Sequence, residues 1–255
     1  MATIASAPGA ITARPTRQLP GRKYDHQFFS AAALLLSVAV FVGFAPTYYL
    51  AGMVHAPLPD RLIHFHGALF TSWMLLLIAQ TSLVAAGKVN VHRRLGIAGC
   101  VLACVMVPVG LLAAVDSLVR RAGPPGRDSQ AFFIVPFTEI LLFGVLMLFA
   151  FRARKDSPAH KRLIMIATTA LALAAVARWP VFHRSSPLGA ATTTWIFLLL
   201  LAAYDLWSTR RLHRATIWGS ALLIFVQLVR FPVAQTTAWH AFAGWLQTTA
   251  APVFR

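Results

Sequence analysis

Seven long apolar runs, separated by short polar connections, dominate this sequence. The runs cover residues 28–50, 62–86, 93–118, 131–152, 161–179, 190–208 and 214–236. A helix of about 20 predominantly apolar residues crosses the hydrocarbon core of a bilayer. Because lipid offers the backbone no hydrogen-bond partners, such runs are expected to be helical. The pattern therefore predicts an all-α, polytopic integral membrane protein with seven transmembrane helices.

Charge content excludes the soluble alternatives. Of the 255 residues, 58% are hydrophobic and only 12% are charged, which is about half the charged share of a typical soluble domain. A surface this apolar would not keep a globule in water, so a cytosolic enzyme is excluded. The composition fits neither a disordered chain nor a collagen-like repeat. The lipid bilayer is the expected partner.

The positions of the runs divide the chain into three segments. Residues 1–23 are rich in Ala, Thr, Pro and Arg, and they predict a disordered cytoplasmic tail. Residues 24–236 form the predicted seven-helix transmembrane domain, whose first run we interpret as a signal anchor. Residues 237–255 predict a short amphipathic segment in the outer interface. Its aromatic and polar side chains include Trp239, His240, Phe242 and Trp245.

Basic residues predict the orientation of the chain. The tail and the connections after the second, fourth and sixth runs hold 15 of the 23 Lys and Arg residues, and the opposite ends hold eight. The positive-inside rule then places the amino terminus in the cytoplasm. This topology explains the net charge of +16, so nucleic acid is not expected as a partner.

A weak internal repeat groups the helices. Three odd-numbered runs open with His92-Arg93-Arg94-Leu95, His160-Lys161-Arg162-Leu163 and His213-Arg214. Two of them close with Arg178-Trp179-Pro180 and Arg230-Phe231-Pro232. The repeat predicts one leading helix followed by three related helical hairpins.

The second run carries polar residues at a regular interval. His66, Trp73 and Gln80 are spaced by seven and share one helix face. Polar side chains on a transmembrane helix normally face the bundle, because lipid cannot satisfy their hydrogen bonds. His64 points about 200° away from His66 around the helix. This pair is a weak metal signal, and no metal site is expected.

Glu139 is the only acidic residue well inside a predicted span. An intramembrane carboxylate usually faces a partner or a water-filled cavity, and Arg178 and Arg230 lie near the outer ends of the fifth and seventh spans. With His66, these residues predict an outward-facing polar pocket. Its expected roof consists of Trp73, Trp179 and Phe231. In the structural alternative, Glu139 pairs with one arginine as a lock while the other snorkels to the interface.

Between His64 and Pro180, the sequence resembles a family of uncharacterised bacterial multi-pass membrane proteins. The matching motifs are His64-Phe65-His66-Gly67, Trp73, Gln80, His92-Arg93-Arg94-Leu95-Gly96, Pro136, His160-Lys161-Arg162-Leu163 and Arg178-Trp179-Pro180. The resemblance covers nearly half of the chain. It implies a multi-pass protein of the bacterial plasma membrane and no particular activity.

The His-Arg-Leu-Gly-like helix starts are also distantly similar to cytochrome b561-type and haem A synthase-type membrane proteins. That similarity implies a b-type haem held by paired histidines on facing helices, with His64 and His66 as candidate ligands. Residue 80 departs from the pattern, because it is Gln rather than a second His. An axial pair would have to join His66 to His183 or His240, which lie outside the predicted spans.

Three functional hypotheses follow. In the first, the protein binds or transports a small anionic or protonatable ligand in the polar pocket. The expected ligand-binding residues are His66, Trp73, Gln80, Glu139, Arg178 and Arg230. In the second, it is a redox protein that uses b-type haem and exchanges electrons with a quinone. In the third, it is an assembly or scaffold protein whose polar residues only lock the helices together.

Overall fold

The computed structural model describes residues 24–54, 60–123, 126–179, 181 and 187–254. The predicted tail at 1–23, Pro180 and His183 lie outside these ranges. All regular secondary structure in the described part of the chain is helical.

Eight α-helices follow one another within these ranges. They are α1 (Asp25–Phe44), α2 (Arg61–Ala85), α3 (Val89–Val119), α4 (Ser129–Arg152), α5 (Ser157–Val176), α6 (Pro187–Thr209), α7 (Arg214–Ala234) and α8 (Thr237–Phe254). Ala45–Tyr49 extends α1 as a π-helical turn, and Ala153–Lys155 joins α4 to α5 as a 3-10 turn.

Helices α1 to α7 are long and apolar enough to cross a membrane. The predicted all-α class and the predicted number of candidate spans are therefore confirmed. Acidic side chains start three of these helices: Asp60, Asp128 and Asp156 accept hydrogen bonds from backbone N–H groups in the first turns of α2, α4 and α5. Such caps satisfy donors that a helix cannot satisfy by itself.

Helix α5 lies at the centre of the bundle and is the most buried of the seven candidate spans. Its many Ala residues let α1, α4, α6 and α7 all pack against it. Helices α1 to α5 also contact one another in succession, and α1 closes this five-helix ring onto α5. At the closure, Gly43 lies so close to the backbone of Ala175 that any side chain at position 43 would collide with it.

We term the end of the bundle where α1 begins the proximal end and the opposite end the distal end. Helices α3, α5 and α7 begin at the proximal end, and α2, α4 and α6 begin at the distal end. The repeated histidines therefore lie together proximally: His92 and His160 in the first turns of α3 and α5, and His213 as the residue that caps α7.

A buried ion pair joins α5, α6 and α7 at the proximal end. Arg162 donates from Nε and Nη2 to Oδ1 of Asp205, at 2.9 and 2.5 Å. The other carboxylate oxygen accepts from the His213 backbone N–H at 3.0 Å and from the Thr216 hydroxyl at 2.6 Å. Asp205 is fully buried. Since both of its oxygens are satisfied within the protein, this pair is a structural joint.

We expect the change Asp205→Ala to destabilise the protein strongly, because it leaves the Arg162 charge buried without a partner. Breaking a buried pair costs about 3–5 kcal/mol. The double variant Arg162→Met/Asp205→Ala should recover most of this loss. Thermal unfolding in detergent measures both, and Asp156→Ala, which removes only a helix cap worth about 1 kcal/mol, is the control. A double variant as unstable as Asp205→Ala would contradict this interpretation.

Helix α8 is attached to α3 and α4 at the distal end. The Trp239 indole N–H donates to the Gln130 carbonyl at 2.8 Å, and His240 Nε2 lies 2.7 Å from Asp128 Oδ2. Further along the helix, Trp245 is 61% exposed. The helix occupies most of the segment predicted at 237–255, and its place in a membrane interface stays a prediction.

The attachment of α8 should depend on pH. Contacts with the Thr236 carbonyl and the Asp128 carboxylate raise the pKa of His240. For Asp128, partial burial raises the pKa, but hydrogen bonds from His240 and the Gln130 N–H outweigh it, so its pKa is lowered. The stabilisation that His240 gives to the folded state is therefore complete below the unfolded-state pKa of about 6.5. It is lost as the pH rises past the pKa of His240 in the folded state. The Asp128 contribution is lost as the pH falls below about 4.

We accordingly expect α8 to be held most firmly between about pH 4 and 6.5 and to loosen towards pH 8. Amide hydrogen exchange in α8, corrected for the intrinsic pH dependence of exchange, measures this. The His240→Gln variant should show no such loosening between pH 6 and 8. If α8 loosened in the variant as it does in the wild type, the His240–Asp128 pair would not be the cause of the pH dependence.

Candidate functional site

A buried polar network joins α4, α6 and α7 in the distal half of the bundle. Glu139 Oε1 accepts a hydrogen bond from Arg230 Nη1 at 2.6 Å and another from Gln227 Nε2 at 3.0 Å. Gln227 Oε1 in turn accepts from the Trp195 indole at 2.7 Å. Gln227 is fully buried, and Arg230 is 2% exposed. We term these four residues the Glu139 network.

Two atoms of the Glu139 network have no hydrogen-bond partner in the part of the chain that the structure describes. They are Glu139 Oε2 and Arg230 Nε, and both are buried. Leaving a buried polar atom unsatisfied costs about 1–3 kcal/mol. A water molecule or a ligand atom that contacted either of them would remove this cost.

Arg178 lies just beyond the end of α5. Its Nη1 donates to the Ala174 carbonyl, and its guanidinium lies 4.7 Å from the centroid of the Phe44 ring. The carbonyl groups at a helix carboxyl terminus favour a cation at this place. The residue is exposed, and no carboxylate within the described ranges pairs with it. One carbonyl uses one of about five guanidinium N–H donors, so most of these donors can contact a ligand.

His66 lies in the second turn of α2, at the distal end. Its ring stacks on Phe70 with the centroids 4.0 Å apart, and its buried Nδ1 atom has no hydrogen-bond partner within the described ranges. The charge of Arg178 lies within electrostatic range of the ring. Among the described residues, the structure therefore brings a cation without a carboxylate partner and an imidazole nitrogen without a hydrogen bond to the same distal end.

The π-helical end of α1 borders this region. The Tyr48 hydroxyl donates to the His64 carbonyl at 3.2 Å, and the Tyr49 hydroxyl lies 2.9 Å from Thr71 Oγ1. Gly67 lies under the Tyr48 ring so closely that a Cβ atom would collide with it. Turns of π-helix are rare and occur frequently at functional sites. Here the turn attaches α1 to the start of α2, beside His66.

Trp73 and Gln80 continue the face of α2 that His66 begins, as the spacing of seven predicts. The Trp73 indole donates to Thr168 Oγ1 at 3.2 Å, and Trp73 is 4% exposed. The Gln80 amide, oriented to satisfy its neighbours, donates to His92 Nδ1 at 2.6 Å and accepts from the Gly96 N–H at 2.9 Å. Only His66 of this face lies at the distal end.

The described contacts divide the predicted pocket residues into two groups. Glu139 pairs with Arg230, whose guanidinium also lies 5.4 Å from the Phe231 ring centroid. Arg178 lies instead within electrostatic range of His66, and no described contact joins it to Glu139. Of the predicted roof, Trp73 lies deeper, and the Trp179 indole donates to the Ala39 carbonyl of α1 at 3.2 Å.

Several residues of these networks were not singled out from the sequence. Gln227 precedes Arg230 by three residues and so lies on the same helix face. This spacing could have identified Gln227 from the sequence. Asp205 is the single acidic residue of α6. Because it lies near the end of the helix, the sequence did not indicate that it forms a buried ion pair. Trp195 carried no signal, because nothing in the sequence separates it from an aromatic residue that faces lipid.

The structure also bears on the haem ligands considered above. His64 is exposed, with its ring 5.8 Å from that of Tyr48. Both ring nitrogens of His240 are engaged, by Thr236 and Asp128, and His183 is outside the described ranges. The described residues thus offer His66 no second axial ligand. Within them, no group of three or more His, Cys, Asp or Glu side chains could hold a metal ion.

The fold and these sites define a class: an all-α protein with seven helices long and apolar enough to cross a membrane, and with polar networks between them. Comparisons with protein-family models, with curated proteins and with solved structures found no significant match to this chain.

We expect a double-mutant cycle to show which arginine Glu139 depends on. Arg230→Met should cost about 3–5 kcal/mol, because it leaves the Glu139 carboxylate buried without a counter-charge. Adding Glu139→Gln should recover much of this loss. The corresponding cycle of Glu139→Gln with Arg178→Met should be additive within about 0.5 kcal/mol. Unfolding in detergent measures both cycles, and a stronger coupling to Arg178 would contradict the observed pairing.

Proposed function

We propose that this chain is a multi-pass protein of the bacterial plasma membrane that binds a small anionic ligand at an outward-facing site built around Arg178 and His66. The proximal end, with its concentration of basic residues, lies in the cytoplasm, so the distal end faces outward. Binding or transport of a small anion is the function that this arrangement supports best.

One observation carries the proposal: Arg178 is exposed at the distal end and has no carboxylate partner among the described residues. A guanidinium is shaped to hold a carboxylate or similar oxyanion through two parallel hydrogen bonds. The Phe44 ring at 4.7 Å limits the orientations of Arg178 and so prepares it for binding.

His66 supplies the second contact. Its neutral ring carries a proton on one nitrogen, and when this is Nδ1 the unsatisfied atom becomes a hydrogen-bond donor. An anion held by Arg178 could accept that bond. This contact favours a ligand with at least two acceptor oxygens.

The Glu139 network supports the site without neutralising it. Its carboxylate is occupied by Arg230 and Gln227, so this negative charge is paired with another cation. If Glu139 paired with Arg178 instead, an anionic ligand would have to displace a carboxylate. Because Glu139 pairs with Arg230, Arg178 stays available to bind an anionic ligand.

We expect acetate, succinate or phosphate, added at constant ionic strength, to raise the unfolding temperature of the purified protein in a saturable way. At a concentration ten times the dissociation constant, the stabilisation is about 1.4 kcal/mol. Arg178→Gln should abolish the effect, since it removes the cation, and Arg178→Lys should retain part of it. Differential scanning fluorimetry measures the shift.

Arg121→Gln is the matched control, because Arg121 is an exposed arginine at the same end of the bundle. It should respond to the three anions as the wild type does. The proposal is wrong if none of the anions stabilises the wild type, or if Arg178→Gln responds equally.

A further inference from the structure

A cavity of about 150 Å³ lies between α1 and α6, which both pack on α5. Its floor consists of Met165, Ile166 and Thr169 of α5, and all three are buried. Leu35 of α1 and Leu200 of α6 also line it, and both are exposed. The cavity therefore opens sideways on the outer surface of the bundle. We term it the lateral cavity.

The two walls of the lateral cavity meet at the proximal end. Tyr204 of α6 donates a hydrogen bond to the Asp25 carboxylate at 2.6 Å, and its ring stacks on Phe28 with the centroids 3.8 Å apart. Beyond this junction α1 lines the cavity with two short side chains, Ala31 and Ala32. Because these methyl groups do not reach α6, the surface of α5 between the two helices stays accessible from the side.

The lining of the lateral cavity suits a hydrocarbon group. Among the described residues that line it, Thr169 has the only polar side chain, and its hydroxyl donates to the Met165 carbonyl at 2.9 Å. An apolar cavity of about 150 Å³ stays dry and takes up an apolar molecule such as benzene. The open side lies between helices that are long and apolar enough to cross a membrane, so in a bilayer it faces lipid hydrocarbon.

The depth of the lateral cavity corresponds to one leaflet of a bilayer. On α1 it is lined between Phe28 and Leu35, and α1 begins at Asp25. At the rise of an α-helix these lining residues lie about 5–15 Å from the start of α1. Since a hydrocarbon core is about 30 Å thick, the cavity lies in the proximal half of the membrane.

Aromatic side chains mark the proximal edge of the lateral cavity. The Trp207 ring lies 5.9 Å from that of Tyr204 and 5.7 Å from that of Tyr24, and both Trp207 and Tyr24 are exposed. Tyrosine and tryptophan are enriched at the level of the lipid headgroups, where one part of the ring system is apolar and another is wet. An acyl chain in the cavity would therefore place its headgroup beside Trp207.

Two exposed arginines lie next to this edge. Arg210 and Arg211 follow directly after α6, three and four residues beyond Trp207. No carboxylate in the part of the chain that the structure describes forms an ion pair with either of them. A guanidinium matches the geometry of a phosphate, and basic residues at the end of a transmembrane helix attract anionic lipids. The charge at this edge therefore favours an anionic headgroup.

We propose that the lateral cavity binds one acyl chain of an anionic phospholipid from the leaflet at the proximal end, with the lipid phosphate beside Trp207 and held by Arg210 and Arg211. The site is independent of the anion site at Arg178, which lies at the opposite end of the bundle. The rival occupants are an isoprenoid quinone and a second copy of this chain. The uncharged headgroup of a quinone would leave the two arginines without a counter-ion.

Photo-crosslinking with a labelled lipid tests the site. The full-length protein is placed in phosphatidylcholine nanodiscs that contain phosphatidylglycerol with a diazirine in the middle of one acyl chain. After irradiation, mass spectrometry identifies the labelled residues. We expect label on the buried floor residues Met165, Ile166 and Thr169, which a chain in the surrounding lipid cannot reach. Leu199, an exposed residue of α6 that does not line the cavity, reports labelling by that surrounding lipid.

The headgroup is tested with a second probe, phosphatidylcholine that carries the same diazirine chain. At equal content, the phosphatidylglycerol probe should label the floor about fivefold more strongly, which is the factor that one basic residue near a membrane surface supplies. The double variant Arg210→Gln/Arg211→Gln should lose this preference. Arg93→Gln/Arg94→Gln is the matched control, because it removes two exposed arginines at the proximal start of α3. It should keep the preference.

Filling the lateral cavity tests the position of the chain. Ala32 is half-buried and lines the cavity, so the ring introduced by Ala32→Phe has to enter it, and label on the floor should be lost. Ala98→Phe adds the same ring at an exposed position of α3 and should leave the floor label unchanged. Size-exclusion chromatography and the unfolding temperature show whether each variant is folded. If Ala32→Phe does not fold, the labelling of the wild type by the two probes decides the proposal.

Four results overturn the proposal: no label on the floor of the wild type, equal labelling by the two probes, floor label that persists in folded Ala32→Phe, or loss of floor label when a quinone is added at a lower content than the probe. Cross-linking of two chains through the floor residues would identify a second copy as the occupant and would also overturn it. Arg178→Gln should leave the floor label unchanged, so this site and the anion site are tested separately.

Discussion

Inside a bilayer no water satisfies a polar group, so a polar side chain on a membrane-spanning helix needs a partner within the protein. All seven acidic residues of this chain have a hydrogen bond or an ion pair. Three of these pairs surround α5. Lys161 with Asp25 holds α1 to it, Arg162 with Asp205 holds α6, and Arg230 with Glu139 joins its neighbours α4 and α7. These pairs add to the small residues of α5 in holding the other helices around it.

The two halves of the bundle use their polar residues differently. At the proximal end, the Asp205 carboxylate is satisfied by four donors. In the distal half, the ionisable side chains of His66, Glu139 and Arg230 each have one buried atom without a partner among the described residues, whereas the corresponding atoms of the proximal half are the hydroxyls of Ser30, Ser208 and Ser220. A joint that only stabilises the fold gains nothing from unsatisfied atoms, which each cost free energy. The difference is the physical basis for seeking the ligand at the distal end, beside Arg178.

Much of this arrangement could be predicted from local patterns. The lengths of the apolar runs indicated seven helices, because span length depends on the thickness of the bilayer and on the helical rise. The spacing of seven indicated one helix face for His66, Trp73 and Gln80, and on that face Trp73 is buried and bonded to α5. The partner of Glu139 could not be predicted in this way. Arg178 and Arg230 occupy equivalent positions in two of the repeated hairpins and are predicted at similar depths in the membrane. Only the packing of α7 against α4 shows which of them meets Glu139.

The sequence by itself therefore determined the helical class, the number of candidate spans and the list of intramembrane polar residues, since each depends on composition and periodicity along one helix. Only the tertiary structure decided which of these residues meet. It paired Glu139 with Arg230, placed Arg178 within electrostatic range of His66, and bonded Trp73 of α2 to Thr168 of α5. The physical reason is that such contacts depend on the rotation and neighbours of whole helices, and a pattern within one helix carries no information about either.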